Sequence, residues 1–347
     1  MIDMMKILEL IKKNIKQIIY SYGYKIIKVK NKHSRKIKTT IVNKKKSIPA
    51  KFNDLNTQEL LSKNKYFLVA VDAKPGINHL REALNWLVRE SISLNRTPLV
   101  FKPNFDSCHN FNIDVDATWN KYINLKNIEI TNTLTGNKIS IEAAMKEDIA
   151  NIAEFSVLWI ERDHIITDME NKTFDLIIRH NRTGLEISGI HNGIRGLPEY
   201  SVRFLPSIFV LETYNRVRNK IENYCAIHVR RGDMLNMIDT YPNLNHDTHP
   251  DQIITTISKV LPRKSNIYIL TNERDRNYFN PLKKYYIVFQ YFDFPELREL
   301  IECENPDNFL LFEIEKLIFE NANTKIYTFT HPEGGFRLSL SKDLGWA

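Results

Sequence analysis

The stretch Tyr224–Asp233, YCAIHVRRGD, gathers the side chains best suited to do chemistry in this sequence. Its first half is apolar enough for a buried strand, and alternate residues of a strand share a face. His228 and Arg230 would therefore project together while Ile227 and Val229 point into a core. Arg231, Gly232 and Asp233 then fall in the loop at the strand's carboxyl end. Two adjacent guanidiniums offer planar, bidentate donors to a diphosphate and stay charged at any working pH. Gly232 lets the backbone come close to a ligand, and Asp233 either holds one arginine or caps the next helix. The same residues also read as a surface arginine pair beside a Gly-Asp turn.

The elements that must position them follow from the apolar pattern. Tyr66–Asp72 (YFLVAVD) reads as a strand buried on both faces. Pro75, Gly76 and Asn78 make a turn, and Leu80, Ala83, Leu84, Leu87, Val88 and Ile92 form a helical stripe before a second strand, Leu99–Phe101. Between 102 and 210 the pattern predicts a helix near Ile141–Phe155 and strands at Phe155–Ile160 and Phe174–Ile178. A helix over Leu205–Ile221 leads to the Tyr224 strand. After it come a helix at Gln252–Val260, a strand at Asn266–Asn272 and a helix around Arg274–Lys283. A strand at Tyr285–Gln290, a helix at Phe309–Glu320 and a strand at Thr324–Thr330 complete the pattern. Strands and helices alternate twice over, the pattern of two α/β halves whose ligands lie outside the carboxyl ends of the strands.

Composition narrows the classes. The 347 residues are 43% hydrophobic and 26% charged, with 11 Gly and 13 Pro, which excludes collagen-like and mostly disordered chains. The formal charge of +8 is concentrated at one end. Residues 1–51 hold 15 Lys and Arg against Asp3 and Glu9, a net of +13, and the remainder holds 34 against 39, a net of −5. Within residues 2–19, Met4, Met5, Leu8, Ile11, Ile15, Ile18 and Ile19 recur at helical spacing, so the arm predicts an amphipathic helix followed by a Lys-rich tether. Such an arm suits an anionic membrane surface, or it packs on the body or a second subunit. No nucleic-acid fold accompanies it. Cys108, Cys225 and Cys303 form no disulfide framework and no zinc spacing. No run approaches the roughly 18 apolar residues of a membrane span, and no signal-peptide core is visible, so a cytoplasmic protein, peripheral at most, is expected.

Taken with its flanks, the strand, His-Val-Arg-Arg-Gly-Asp and the following helix resemble the H-x-R-R-x-D signature shared by the α1,2-, α1,6- and protein O-fucosyltransferases. Weaker matches occur in the family's order. Pro75–Leu84 (PGINHLREAL) is similar to its first-strand loop, Leu94–Phe101 (LNRTPLVF) to its second strand, and Ile267–Asp275 (IYILTNERD) to its Thr-Asp-Glu strand and loop. Glu313–Leu340 lies where the family has an acidic helix, a strand and a Ser-rich loop. That loop is not intact here, and the first loop lacks the text of the α1,2 enzymes.

The resemblance implies a glycosyltransferase-B-like α/β fold of two Rossmann-like domains facing a cleft. Residues 1–64 would be the arm and tether, 65–210 an acceptor-side domain and 211–347 a nucleotide-sugar-binding domain. It implies inverting, metal-independent transfer of fucose from GDP-β-L-fucose to a glycan or glycoconjugate hydroxyl, with no cofactor beyond the donor. On matching positions, Arg230 would meet the charge that builds on the β-phosphate, with Arg231 second or structural, and His228 would orient sugar or phosphate. Asn78 and Arg81 would reach the phosphates from the first loop, and Asp233, Asp307, Thr328, Thr330 and Ser339 are phosphate or guanine candidates by position. Asp239, or Glu82, would be the general base. His246 and His249 read as packing and loop residues. Two rivals remain: a glycosyltransferase of this fold with another nucleotide sugar, and a non-enzymatic polyanion-binding protein.

Overall fold

The computed structural model describes residues 24–29, 38–43, 61–71, 77–100, 102–103, 118–161, 164, 166–181, 200–239, 241–327 and 339–340. The amphipathic helix read over residues 2–19 lies outside them. Where a tether was expected, β1 (Tyr24–Val29) and β2 (Lys38–Asn43) pair as an antiparallel hairpin, Tyr24 opposite Asn43 and Val29 opposite Lys38. Runs such as Lys25-Ile-Ile-Lys-Val and Thr39-Thr-Ile-Val are rich in β-branched residues, which fit a pleated ladder better than a solvated coil.

The chain divides into two compact units, residues 1–106 with 125–205 and residues 107–124 with 206–347. The resemblance places 107–124 within the first domain, 65–210. In the first unit, β3 (Ser62–Val71), β4 (Arg96–Val100), β7 (Ala144–Met145), β8 (Val157–Ile160) and β9 (Leu176–Asn181) form an all-parallel sheet in the order β7-β4-β3-β9-β8. Strands β5 (Ile123–Asn132) and β6 (Lys138–Ile141) form a hairpin, and β10 (Tyr200–Pro206) joins them in a separate three-stranded sheet, none of which the sequence pattern revealed. The helix Ile77–Ser93 lies against β3 and β4 through Leu80, Ala83, Leu84, Leu87 and Val88, the predicted stripe. It begins at Ile77, so Asn78 is helical and not part of a turn. No α-helix forms over 141–155. Ala144–Met145 pairs with Leu99–Val100 instead, and Asn151 takes a left-handed φ of 59°, so only two 3₁₀ turns remain.

Two buried arginines hold this unit together. Arg96, at the start of β4 and 1% exposed, donates from Nε to Asn171 Oδ1 (2.6 Å), from Nη1 to the carbonyls of Tyr66 and Asp175 (3.1 and 3.2 Å), and from Nη2 to the carbonyls of Asn171 and Phe174. Burial pulls its pKa down to about 10, opposed by the charge of Asp175. Arg179 on β9 pairs with Glu90 through both Nε and Nη2 and donates to the carbonyls of Glu161 and His164 at 2.8 Å each. An isolated buried charge would be very costly, so the completeness of these networks is what permits them.

In the second unit, β11 (Tyr224–Val229), β12 (Asn266–Thr271), β13 (Ile287–Phe289), β14 (Thr324–Tyr327) and β15 (Ser339–Leu340) take the order β13-β12-β11-β14-β15, parallel except for β15. One face of β11, Cys225, Ile227 and Val229, packs with Ile253 and Ile257 of the helix Pro250–Ile257 and with Phe279 and Leu282. The helix over Arg274–Lys283 is absent. Pro281 removes a donor and clashes with a preceding turn, and the segment forms a 3₁₀ stretch, Asn280–Lys284. The opposite face meets the helix Asn308–Glu320: Tyr224 Oη donates to the Ile318 carbonyl at 2.6 Å, and the His228 ring stands edge-on to Phe319 at 6.5 Å. The helices Ile208–Arg218 and Pro295–Glu302 adjoin it.

On this second face Glu315 is buried and accepts the Tyr268 hydroxyl at 2.9 Å. Burial raises its pKa to about 8, only partly offset by the Tyr268 hydrogen bond. The native state therefore keeps a proton that the unfolded chain, with an ordinary carboxyl near 4.5, releases. This contribution to stability is complete below about pH 4.5 and is lost as pH rises through about 8. Thermal melts at pH 5 and pH 8 should show wild type losing, on the order of 5 °C, more than Glu315→Gln across that interval. Parallel losses in both proteins would contradict a protonated Glu315.

Candidate functional site

The central strand of the second unit's parallel sheet carries the candidate residues. From β11 the chain proceeds to β12 and β13 on one side and then returns to β14 on the other, so the strand order reverses between β11 and β14. In open parallel sheets the crevice at the carboxyl ends of such a strand pair is where ligands bind. His228 and Val229 end β11, and Arg230 and Arg231 emerge at that edge.

The two arginines have different fates. Arg230 is half-buried beside His228. Arg231 is 4% exposed, and each of its guanidinium nitrogens is engaged within the unit. Nε pairs with Glu273 Oε2 at 2.8 Å, Nη1 donates to Thr248 Oγ1, and Nη2 donates to Asn245 Oδ1 at 3.0 Å. The guanidinium lies over the Tyr278 ring, 4.2 Å from its centroid. Burial alone would raise the Glu273 pKa, but the Arg231 hydrogen bond, with the backbone N–H groups of Asp275 and Arg274, outweighs it and holds the carboxyl below its ordinary range. Planar geometry matters here, because a lysine could not reach three acceptors and a ring face at once.

The backbone around the pair is equally fixed. The Arg231 N–H donates to Asn272 Oδ1 at 2.7 Å. Gly232 has φ +27°, and a Cβ there would lie 2.3 Å from Asn272 Nδ2 and 2.8 Å from Asn272 Cγ. Asn272 thus holds the turn, and a Cβ at 232 would have to displace the Asn272 side chain from the Arg231 N–H. A 3₁₀ turn over Gly232–Asn236 follows, with the N–H groups of Met234 and Leu235 donating to the Arg231 carbonyl.

His228 is half-buried, and its pKa is pushed down to about 4, first by burial and then by the charge of Arg230. At neutral pH it is an uncharged imidazole, able to donate from one nitrogen and accept at the other.

No protein-family model and no curated protein matches this chain.

The remaining candidates lie on several elements. Asp233 lies in the 3₁₀ turn, and Asp239 is exposed in the turn after it. Asp307 is buried and caps the Asn308–Glu320 helix, accepting from Leu310 N–H and Tyr122 Oη at 3.0 Å each. That structural duty accounts for its carboxylate without a ligand. Asn78 and Arg81 sit early in the Ile77–Ser93 helix of the first unit, where Arg81 is half-buried and Glu82 follows. Thr328 and Thr330 lie outside the described residues, and Ser339 pairs with Tyr327 in β15. His249 caps the Pro250–Ile257 helix, and His246 is exposed beside Asp247. Among the described residues no cluster of three His, Cys, Asp or Glu side chains could hold a metal ion, and no helix is long and apolar enough to cross a membrane.

Sequence reasoning missed Asn245, Thr248 and Tyr278. Each is 14 or more residues from Arg231, and no spacing rule joins them to it. Gly232→Ala should lower unfolding free energy by about 2 kcal/mol, since it adds a left-handed-region penalty to an overlap with Asn272. Chemical denaturation measures this, and an unchanged midpoint would contradict that overlap.

Proposed function

We propose that this chain is an inverting glycosyltransferase that moves fucose from GDP-β-L-fucose to a hydroxyl of a glycan or glycoconjugate, in a glycosyltransferase-B-like arrangement of its two units. The observation that carries the reading is the position of His-Val-Arg-Arg-Gly-Asp at the carboxyl end of the central parallel strand, where the strand order reverses. The segment that resembles the fucosyltransferase signature is thus at the sheet edge suited to a nucleotide. That each unit has its own parallel sheet also favours the two-domain reading.

In this reading the acceptor oxygen attacks the anomeric carbon, the bond from that carbon to the β-phosphate oxygen breaks, and its electron pair leaves with GDP. Arg230 offsets the charge that develops on the diphosphate, where fixed donors are worth most. His228, neutral beside it, contributes a hydrogen bond and no second charge. Arg231, committed to Glu273, Asn245 and Thr248, fixes the turn and does not face the phosphates. The acceptor proton passes to a carboxylate, for which Asp239, exposed in the adjoining loop, is the candidate.

Wild-type protein should gain thermal stability on adding GDP. Arg230→Ala should keep its far-UV circular dichroism and lose transfer by about 10²- to 10³-fold. A melt that is indifferent to GDP and responds to another nucleotide would reassign the donor.

The +13 arm supports a second contact, with an anionic lipid surface, since each basic residue near the headgroups adds about 1 kcal/mol. Deleting residues 1–51 should preserve turnover on a soluble acceptor and abolish sedimentation with phosphatidylserine vesicles. Undiminished sedimentation would place any lipid contact elsewhere.

A further inference from the structure

The loop that follows the arginine pair starts half-buried at Met234 and Leu235 and runs out to an exposed tip. Residues 236–239 are exposed, with Met237 at 45% and Ile238 at 67%, so burial does not fix its tip. Its internal backbone hydrogen bonds are short-range, Met237 N–H to the Met234 carbonyl and Tyr241 N–H to the Met237 carbonyl. One side chain spans it from end to end. Arg231 stands at the loop's first end, and its guanidinium reaches Asn245 and Thr248 just beyond the other. Glu273 and the Tyr278 ring, both after β12, fix that guanidinium from the sheet side.

We propose that Asn245 and Tyr278 are positioning residues that act through Arg231 to fix the loop from Gly232 to Asp239, and with it the placement of Arg230 relative to Asp239. Asn245 supplies an acceptor at 3.0 Å to Nη2. Tyr278 supplies a flat surface at 4.2 Å that keeps the guanidinium plane aligned with its in-plane acceptors. Either loss removes one of the four groups that hold the guanidinium, so that Glu273, Thr248 and the one remaining group hold its plane less tightly. Arg230 is bonded directly to Arg231, and Asp239 lies within the stapled loop, so both inherit that freedom. Their catalytic roles rest on the transferase reading above, whereas the staple itself does not.

The test uses the full-length protein with Asn245→Ala, Tyr278→Leu and Tyr278→Phe. Amide hydrogen exchange should quicken about tenfold in peptides covering 232–239 for Asn245→Ala and Tyr278→Leu, while β11 and β12 stay protected. Tyr278→Phe keeps the ring and should exchange like wild type. Unchanged loop exchange in Asn245→Ala overturns the staple, and Asn245, exposed on its short helix, keeps the test available if Tyr278→Leu does not fold. Transfer from GDP-fucose should then show kcat about tenfold lower in Asn245→Ala and restored in Tyr278→Phe relative to Tyr278→Leu. Faster loop exchange with wild-type kcat would overturn the positioning role. Wild-type protein that neither binds GDP nor consumes GDP-fucose overturns the donor reading and with it that role, and the exchange data alone then decide the staple.

Discussion

The burial of the Arg231 guanidinium is the constraint around which the second unit's sheet edge is organised. A charged group this far from water is tolerable only when its donors are met and a counter-charge lies beside it. Glu273 supplies the charge, Asn245 and Thr248 the acceptors, and Tyr278 the face. These four residues come from the loop after β12, the Leu244–Asp247 helical turn and its cap, and the segment leading to β13. One side chain therefore ties together elements that the strand ladder does not connect. Asn272 and Gly232 complete the arrangement at backbone level, where a Cβ would crowd the Asn272 side chain.

The same device recurs in the first unit. Arg96, at the start of β4, gathers carbonyls from β3 and from the segment leading into β9, and Arg179 joins β9 to the Ile77–Ser93 helix through Glu90. Against these three internal cations, half-buried Arg230 stands apart in its position, at the carboxyl end of a central strand and next to a neutral histidine. Adjacent residues of one type thus divide into a structural cation and a candidate chemical one. The division follows from geometry: Arg231 turns toward the loop after β12, while Arg230 directly follows the strand's last residue, Val229.

Much of this framework was legible beforehand. Apolar runs of four to six residues located β3, β11 and β12, because strands buried on both faces have little choice but Val, Ile and Leu. The helical stripe from Leu80 to Ile92 was legible for the same reason. Ala144–Met145 was not, since its conformation is set by the open edge of β4 and not by its own period. The β5–β6 hairpin was hidden by mixed polar and apolar text. At the candidate site, the His-Val-Arg-Arg-Gly-Asp segment lies, as its pattern predicts, at the carboxyl end of a buried strand. Its supporting shell did not show, because Asn245, Thr248 and Tyr278 are ordinary loop residues until the fold brings them to Arg231. Asp307 illustrates the converse: a carboxylate that position alone recommended for a ligand is occupied as a helix cap.

A crystal structure of the protein with GDP tests the central claim most directly. The account predicts a diphosphate at the carboxyl end of β11, within hydrogen-bond distance of the Arg230 guanidinium, with Arg231 still bound to Glu273 and Asn245. A diphosphate bound away from β11, or one held by an Arg231 that has left Glu273, would contradict it.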